Sequence, residues 1–323
     1  MRLPSLEQMR QARSRARRLA RRTAAVTYRS IVVPLLGRSE TAHALDLACR
    51  LAGQRGANVV LVAPILVDQE LPLNARFDRE TNVMRVRLRR ANELAKTYGV
   101  GTKERIIRTR TGGLGREIAE VVTDHRAELV VVGAPVHSRR GFRRAFPDEV
   151  LAIVRDAPTR VMIVSGPVVR RPRTERPALS RILVPMKLGP IGEEMIKTGI
   201  RLAGHQQAAI EALFVIKVPL DQPVDAPLFD QEERAAASLA EAASLGAAQG
   251  VAVVGKTVRA RSIGEAIVAE AAEESADLVI LGSSPKWRRQ RRFFSPTVDY
   301  VLRHADSEVL VVAFPQGATL LSE

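Results

Sequence analysis

The chain has 323 residues, 46% of them hydrophobic, and a formal net charge of +15 from 50 Lys and Arg against 35 Asp and Glu. That is enough apolar material for two cores, while no apolar run approaches the roughly 18 to 20 residues that span a bilayer and the N-terminus lacks the apolar centre of a secretory signal, so cytoplasmic residence is expected. The single cysteine, Cys49, excludes an intrachain disulfide and a cysteine metal cage, and its setting in LDLACRLA predicts a small core residue.

Residues 1–27 contain SLEQMRQARSRARRLARRTAAV, with Leu6, Met9, Ala16, Leu19 and Ala20 at helical spacing and arginine over the rest. This predicts a basic amphipathic helix. Its apolar face is mostly alanine, so insertion into a membrane would be weak. A solvated or docked extension and a membrane or nucleic-acid contact stay open alternatives.

From Tyr28 onward, short β-branched runs alternate with helical periodicity. Strands are expected near Ser30 to Leu35, Asn58 to Pro64, Glu104 to Thr109, Leu129 to Gly133 and Arg160 to Val164. Helices are expected near Glu40 to Gly53, Arg79 to Tyr98, Leu114 to His125 and Asp148 to Asp156. The stretch SGPVVRRPRTERPALS, rich in proline and arginine, predicts an extended linker at 167–179. Beyond it, strands are expected near Arg181 to Met186, Ala209 to Ile216, Val251 to Val258, Leu278 to Leu281 and Val309 to Val312. Helices are expected near Gly192 to Ala203, Gln231 to Gln249, Ile263 to Glu274 and Thr297 to His304.

The two halves repeat one another. RSIVVPLLG at Arg29 returns as SRILVPMKLG at Ser180, AELVVVGAP at Ala127 as ADLVILGSSP at Ala276, and VRDAPTRVMIV at Val154 as LRHADSEVLVV at Leu302. The expected fold is therefore α/β: two tandem doubly wound domains, Rossmann-like or flavodoxin-like, each a five-stranded parallel sheet with helices on both faces. The division is a basic extension at 1–27, repeat one at 28–166, the linker at 167–179, repeat two at 180–315 and a tail at 316–323.

In such sheets ligands bind outside the carboxyl ends of the strands where strand order reverses, which means the ends of the first and fourth strands of each repeat. Basic, aromatic loops follow the fourth strands there: GAPVHSRRGFRRAFPDE and GSSPKWRRQRRFFSPTVDY. Loop amides and a helix start favour anions, and arginine forks hold phosphate. The candidate anion-binding residues are Gly133, His137, Ser138, Arg139 and Arg140 in repeat one. In repeat two they are Lys187, Gly282, Ser283, Ser284, Lys286, Arg288, Arg289, Ser295 and Thr297. Trp287, Phe293 and Phe294 are read chiefly as anchors of the loop on its own domain, with base stacking or a membrane interface as alternatives.

These residues, with Val-Pro closing each first strand, the strand ADLVILG and the segment LRHADSEVLVV, make the chain resemble the universal stress protein family over nearly all of its length after residue 27. KLGPIGEEM and SPTVDYVLRHA in repeat two look most like stress-protein domains associated with amino-acid permeases. The resemblance implies the doubly wound fold and antiparallel pairing of last strands, which a tandem chain satisfies with its own second domain as a pseudo-dimer. It also implies ATP or another adenine nucleotide held by a Gly-x2-Gly-x9-Gly-Ser/Thr loop, with an Asp after the Val-Pro. Gly133 and Gly282 match the first glycine. The second is replaced by Val136 and Pro285, the closing pair by Pro147-Asp148 and Ser295-Pro296, and the Asp by Leu36 and Lys187. Proline offers no N–H and a side chain blocks close backbone approach to phosphate, so the code is degenerate in both repeats.

His43, His125, His137, His205 and His304 are scattered, without metal-ligand spacing or a catalytic constellation, so neither metal nor catalytic residues are assigned. The leading expectation is a non-enzymatic regulator of universal stress protein type, with a degenerate nucleotide or anion loop in each repeat. The alternative is a cytoplasmic adaptor or regulatory subunit of a membrane amino-acid permease, peripheral at an anionic inner membrane face. A homo-oligomer is a further expected assembly, nucleic acid is a minor reading, and ATP hydrolysis is the least supported.

Overall fold

The computed structural model describes residues 28–38, 40–53, 57–135, 146–166, 179–187, 189–204, 208–289, 293–316 and 318. The basic extension 1–27, most of the linker, the loop holding His137, Ser138, Arg139 and Arg140, and His205 lie outside the described residues.

Repeat one comprises β1 (Ser30–Pro34), α1 (Glu40–Gly53), β2 (Asn58–Leu66), α2 (Asp78–Thr97), β3 (Gly101–Thr109), α3 (Leu114–Asp124), β4 (Leu129–Gly133), α4 (Asp148–Asp156) and β5 (Arg160–Ser165). Repeat two comprises β6 (Arg181–Pro185), α5 (Pro190–Ala203), β7 (Ala209–Lys217), α6 (Phe229–Ala247), β8 (Val253–Ala260), α7 (Ile263–Glu273), β9 (Leu278–Ser283), α8 (Lys286–Arg289), α9 (Pro296–His304) and β10 (Glu308–Ala313).

The strands form one 10-stranded sheet in the order β3-β2-β1-β4-β5-β10-β9-β6-β7-β8. Every pairing is parallel except β5 with β10, where Val309 faces Ser165 and Ala313 faces Val161. Each half is thus doubly wound, and its strand order reverses between β1 and β4 or between β6 and β9.

β1 (SIVVP) and β4 (LVVVG) are buried along their whole length because helices cover both faces, which is why they read as continuous apolar runs rather than alternation. Ile31 and Val33 join one core with α1, α2, α5 and α6, while Val32 joins the opposite core with α3, α4, α7 and α9. Both cores run through both repeats. Each fully buried Val or Ile contributes roughly 1.5–3 kcal/mol.

The outer strands carry weaker sequence signals. β3 begins at Gly101, three residues ahead of the expected start, because Gly101-Thr102-Lys103 lies on an exposed edge with no apolar requirement. β8 begins at Val253 rather than Val251, since the Val251 N–H is taken by the Gly246 carbonyl at the end of α6. Charged side chains on these two edges, among them Lys103, Glu104, Lys256 and Arg259, discourage further strand addition.

Candidate functional site

In repeat one the carboxyl end of the sheet is crossed by the chain's own side chains. Arg38 follows β1, Glu149 sits in the first turn of α4, and their Nη2 and Oε2 atoms lie 3.3 Å apart. The pair therefore spans from the end of β1 to the start of the helix that follows the basic loop. Arg87 of α2 lays its guanidinium against Gly37, where an added Cβ would meet it at 2.2 Å. Leu36, standing where the family places its Asp, packs against the apolar core. The α4 N-cap is Pro147, which makes no side-chain capping bond.

Repeat two differs at each of these places. Arg38 aligns with the Leu188-Gly189-Pro190 stretch and Glu149 with Thr297, so neither charge of the bridge has a counterpart. Ser295 caps α9 by accepting the Val298 N–H at 3.1 Å, with Pro296 in the first turn. Ser283 is buried at the end of β9 and its hydroxyl donates to the Phe293 carbonyl at 3.5 Å, while the Ser284 hydroxyl accepts the Lys286 N–H at 3.5 Å. These hydroxyls first shape the turn that carries Lys286, and the unforeseen short helix α8 follows directly on that turn. Lys187 follows β6. It lines a narrow crevice of about 10 Å³ with Gly189, Glu193 and Glu241, between α5 and α6.

Gly133 and Gly282 serve close packing. A Cβ on Gly133 would lie 2.1 Å from the Glu40 carbonyl oxygen and 2.7 Å from the Thr41 nitrogen, so β4 approaches the first turn of α1 as only glycine permits. On Gly282 it would meet the Ile191 side chain at 2.3 Å.

Phe294 packs in the core with its own repeat, and it also meets repeat one. Phe146, which ends the basic loop of repeat one, and Phe294, which ends that of repeat two, pack edge to face with centroids 5.6 Å apart. Both are buried, at 1% and 5% exposure. Trp287 is half-buried, with the Lys286 ammonium 5.5 Å from its ring centroid.

Other chemically suggestive groups have structural roles. Cys49 is fully buried, and burial together with the neighbouring Asp46 pushes its thiol up to about 12, which removes thiolate reactivity. Asp46 is itself held by Arg50 at 2.9 Å and by the Tyr98 hydroxyl. His304 stacks on Tyr300 with ring centroids 4.0 Å apart, and His125 closes α3 with its pKa lowered by burial and by Lys103 and Arg105.

Among the described residues, Glu211, Glu270 and Glu274 have carboxylate oxygens within 4.8 Å of one another, the spacing of a cation site. Lys256 supplies a cation there already, contacting Glu270 and lying 3.5 Å from Glu274. Burial, then the charges of Glu270 and Glu274, push the Glu211 carboxyl up from 4.5 to about 7. A carboxyl with a raised native pKa contributes stability that is complete below about 4.5 and is lost as pH rises through about 7. Glu211→Gln should therefore gain stability relative to the parent between pH 5 and pH 8, read as a urea midpoint. An equal difference at both pH values would contradict the assignment.

A cleft of about 760 Å³ lies between the repeats, with Arg126, Thr159 and Arg160 on one wall and Glu193, Lys197 and Phe314 on the other. Its charges are of both signs. No sequence signal marks it, because its walls meet only through the pairing of β5 with β10. Among the described residues no helix is long and apolar enough to cross a membrane.

Compared with known protein families, residues 27–165 and again 179–313 match the universal stress protein family. The chain matches no curated protein. Among solved structures it is similar to a universal stress protein from Archaeoglobus fulgidus DSM 4304, with TM-score 0.59, 12% identity, 88% of this chain and 96% of that chain covered. It is also similar to a protein of unknown function from Pseudomonas aeruginosa PAO1, with TM-score 0.55, 17% identity, 91% of this chain and 94% of that chain covered. With both repeats matched, the doubly wound sheets observed and the switch points in the expected places, the chain belongs to the universal stress protein family, as two such domains in tandem.

Proposed function

We propose that this protein is a cytoplasmic, non-enzymatic regulator of the universal stress protein type, binding an adenine nucleotide or related anion weakly at the carboxyl end of the repeat-two sheet. Repeat one serves as its structural partner. The observation that carries this reading is the asymmetry of the two crevices. The Arg38–Glu149 pair and the Arg87 guanidinium occupy repeat one, whereas repeat two has neither charge of that pair and keeps a capped helix start beside Lys286.

The chemistry is electrostatic. An amine, two arginines on α8, the Thr297 hydroxyl and the positive end of the α9 dipole attract phosphate without glycine amides. Occupancy of that site bears on α8 and on Phe294, and so on the contact with Phe146 that joins the repeats. A docking surface altered by ligand is the regulatory output. The non-enzymatic part is supported by the stacking of His304 on Tyr300 and by the contact of His43 with Glu308.

Calorimetry against ATP, ADP, AMP and cyclic nucleotides at millimolar concentration tests this. One weak site per chain is expected, lost in the triple variant Lys286→Ala, Arg288→Ala, Arg289→Ala and retained with Arg139→Ala, Arg140→Ala. Silence across the panel would sink the nucleotide assignment, and two sites per chain would sink its restriction to repeat two.

A further inference from the structure

The contact between the repeats carries a charge pattern that neither repeat can satisfy with a copy of itself. Arg160, opening β5, places Nη1 3.4 Å from Oε1 of Glu194 on α5, and Arg201 reaches the same oxygen at 3.5 Å. At the other end of the strand pair, Glu308, opening β10, lies 3.4 Å from Nδ1 of His43 on α1. The repeats align through RLAG at Arg50 and RLAG at Arg201, and through APTRVMIV and ADSEVLVV. In that alignment His43 matches Glu194, and Arg160 matches Glu308. The two contacts are therefore equivalent under the pseudo-two-fold axis with their partners exchanged: an arginine strand on a carboxylate helix at one end, a carboxylate strand on an imidazole helix at the other.

Two more contacts follow the same one-sided logic. Arg160 lies 5.6 Å from the Phe314 ring centroid, and the matching residue of repeat one is Gly166. Arg201 lies 5.5 Å from the Tyr28 ring centroid and donates to its hydroxyl at 3.5 Å, whereas the match to Tyr28 in repeat two is Leu179.

We infer that the β5–β10 face encodes recognition of repeat one by repeat two, through Arg160–Glu194 and Glu308–His43, and rejects pairing of either repeat with a second copy of itself. A self-pair would be two-fold symmetric, so each contact in it occurs twice. Repeat one on itself sets the Arg160 guanidinium against His43 in place of Glu194, with no Phe314 ring, while Asp46, one turn further along α1, is already held by Arg50. Repeat two on itself sets Glu308 against Glu194, two carboxylates whose side chains are only 12% and 9% exposed in the present interface. Specificity built from an attractive and a repulsive element is the general means by which related surfaces avoid mispairing.

The test lets the halves choose. A site-specific protease sequence is placed in the linker, the folded chain is cut, unfolded in guanidinium and refolded by dilution, and its complexes are weighed by native mass spectrometry. The complex of repeat one with repeat two should exceed either self-pair by on the order of tenfold. Arg160→Glu should shift the composition toward repeat-one self-pairs, which then gain two contacts with His43. Glu308→Arg should shift it toward repeat-two self-pairs, which gain two contacts with Glu194. A statistical mixture from the parent chain, or a composition unmoved by both reversals, would overturn the inference. On the uncut chain, Arg160→Glu should lower the unfolding midpoint and Arg160→Glu with Glu194→Arg should recover much of the loss. A double variant no better than the single would overturn it independently of refolding.

Discussion

Gly133→Ala is expected to destabilise the protein by about 3 kcal/mol or more, at the upper end of what overpacking costs. Its new methyl would fall 2.1 Å from the Glu40 carbonyl oxygen and 2.3 Å from its carbon. Those are backbone atoms in the first turn of α1, so relief requires β4 and α1 to separate, and β4 is buried at every position. Gly282→Ala should cost less, since its nearest neighbour is the Cγ2 of the Ile191 side chain rather than backbone, although that β-branched side chain on α5 can yield only by shifting with its helix turn. Denaturant unfolding of both variants measures the difference. Equal stability with selective loss of nucleotide binding would mean that the retained glycines serve phosphate rather than packing.

Phe146→Ala should cost about 3–5 kcal/mol, as expected for removing a buried ring whose site cannot collapse. The residue is 1% exposed, and the ring it meets belongs to the other repeat. Phe294→Ala removes the same contact from the other side. The double variant should therefore fall short of the sum of the singles by about 0.5–1.5 kcal/mol, the worth of an edge-to-face pair. Strict additivity, measured by the same unfolding curves, would mean that each ring acts only within its own domain.

Much of the fold was legible because its signals are local. SIVVP, LVVVG, RILVP and LVILG announce buried parallel strands, and the recurrence of ADLVILG and LRHADSEVLVV announces the tandem architecture. The switch points follow from element order alone. The edges were harder: β3 and β8 need few apolar residues, so their starts were misplaced by two or three positions.

The site was less legible, since its decisive contacts join residues distant in the chain. Arg38 and Glu149 are 111 residues apart, and nothing around either marks the other. Ser283, Ser284 and Ser295 stand where a ligand would need hydroxyls, but a turn and a helix start use them first. Lys187 occupies the position of the family's Asp, yet the backbone after β6 sets it beside Glu193 and Glu241. The exchange of imidazole for carboxylate between His43 and Glu194 becomes visible only when the register of β5 against β10 is known.

The restriction of ligand binding to repeat two is the central claim, and the chain carries its own reporter. Trp287 is the only tryptophan and lies on α8, next to Lys286. Titration with ATP followed by Trp287 emission should give a saturable change whose midpoint matches that from calorimetry and which disappears with Lys286→Ala, Arg288→Ala, Arg289→Ala. Binding heat with an unchanged Trp287 signal would place the ligand elsewhere and contradict the account.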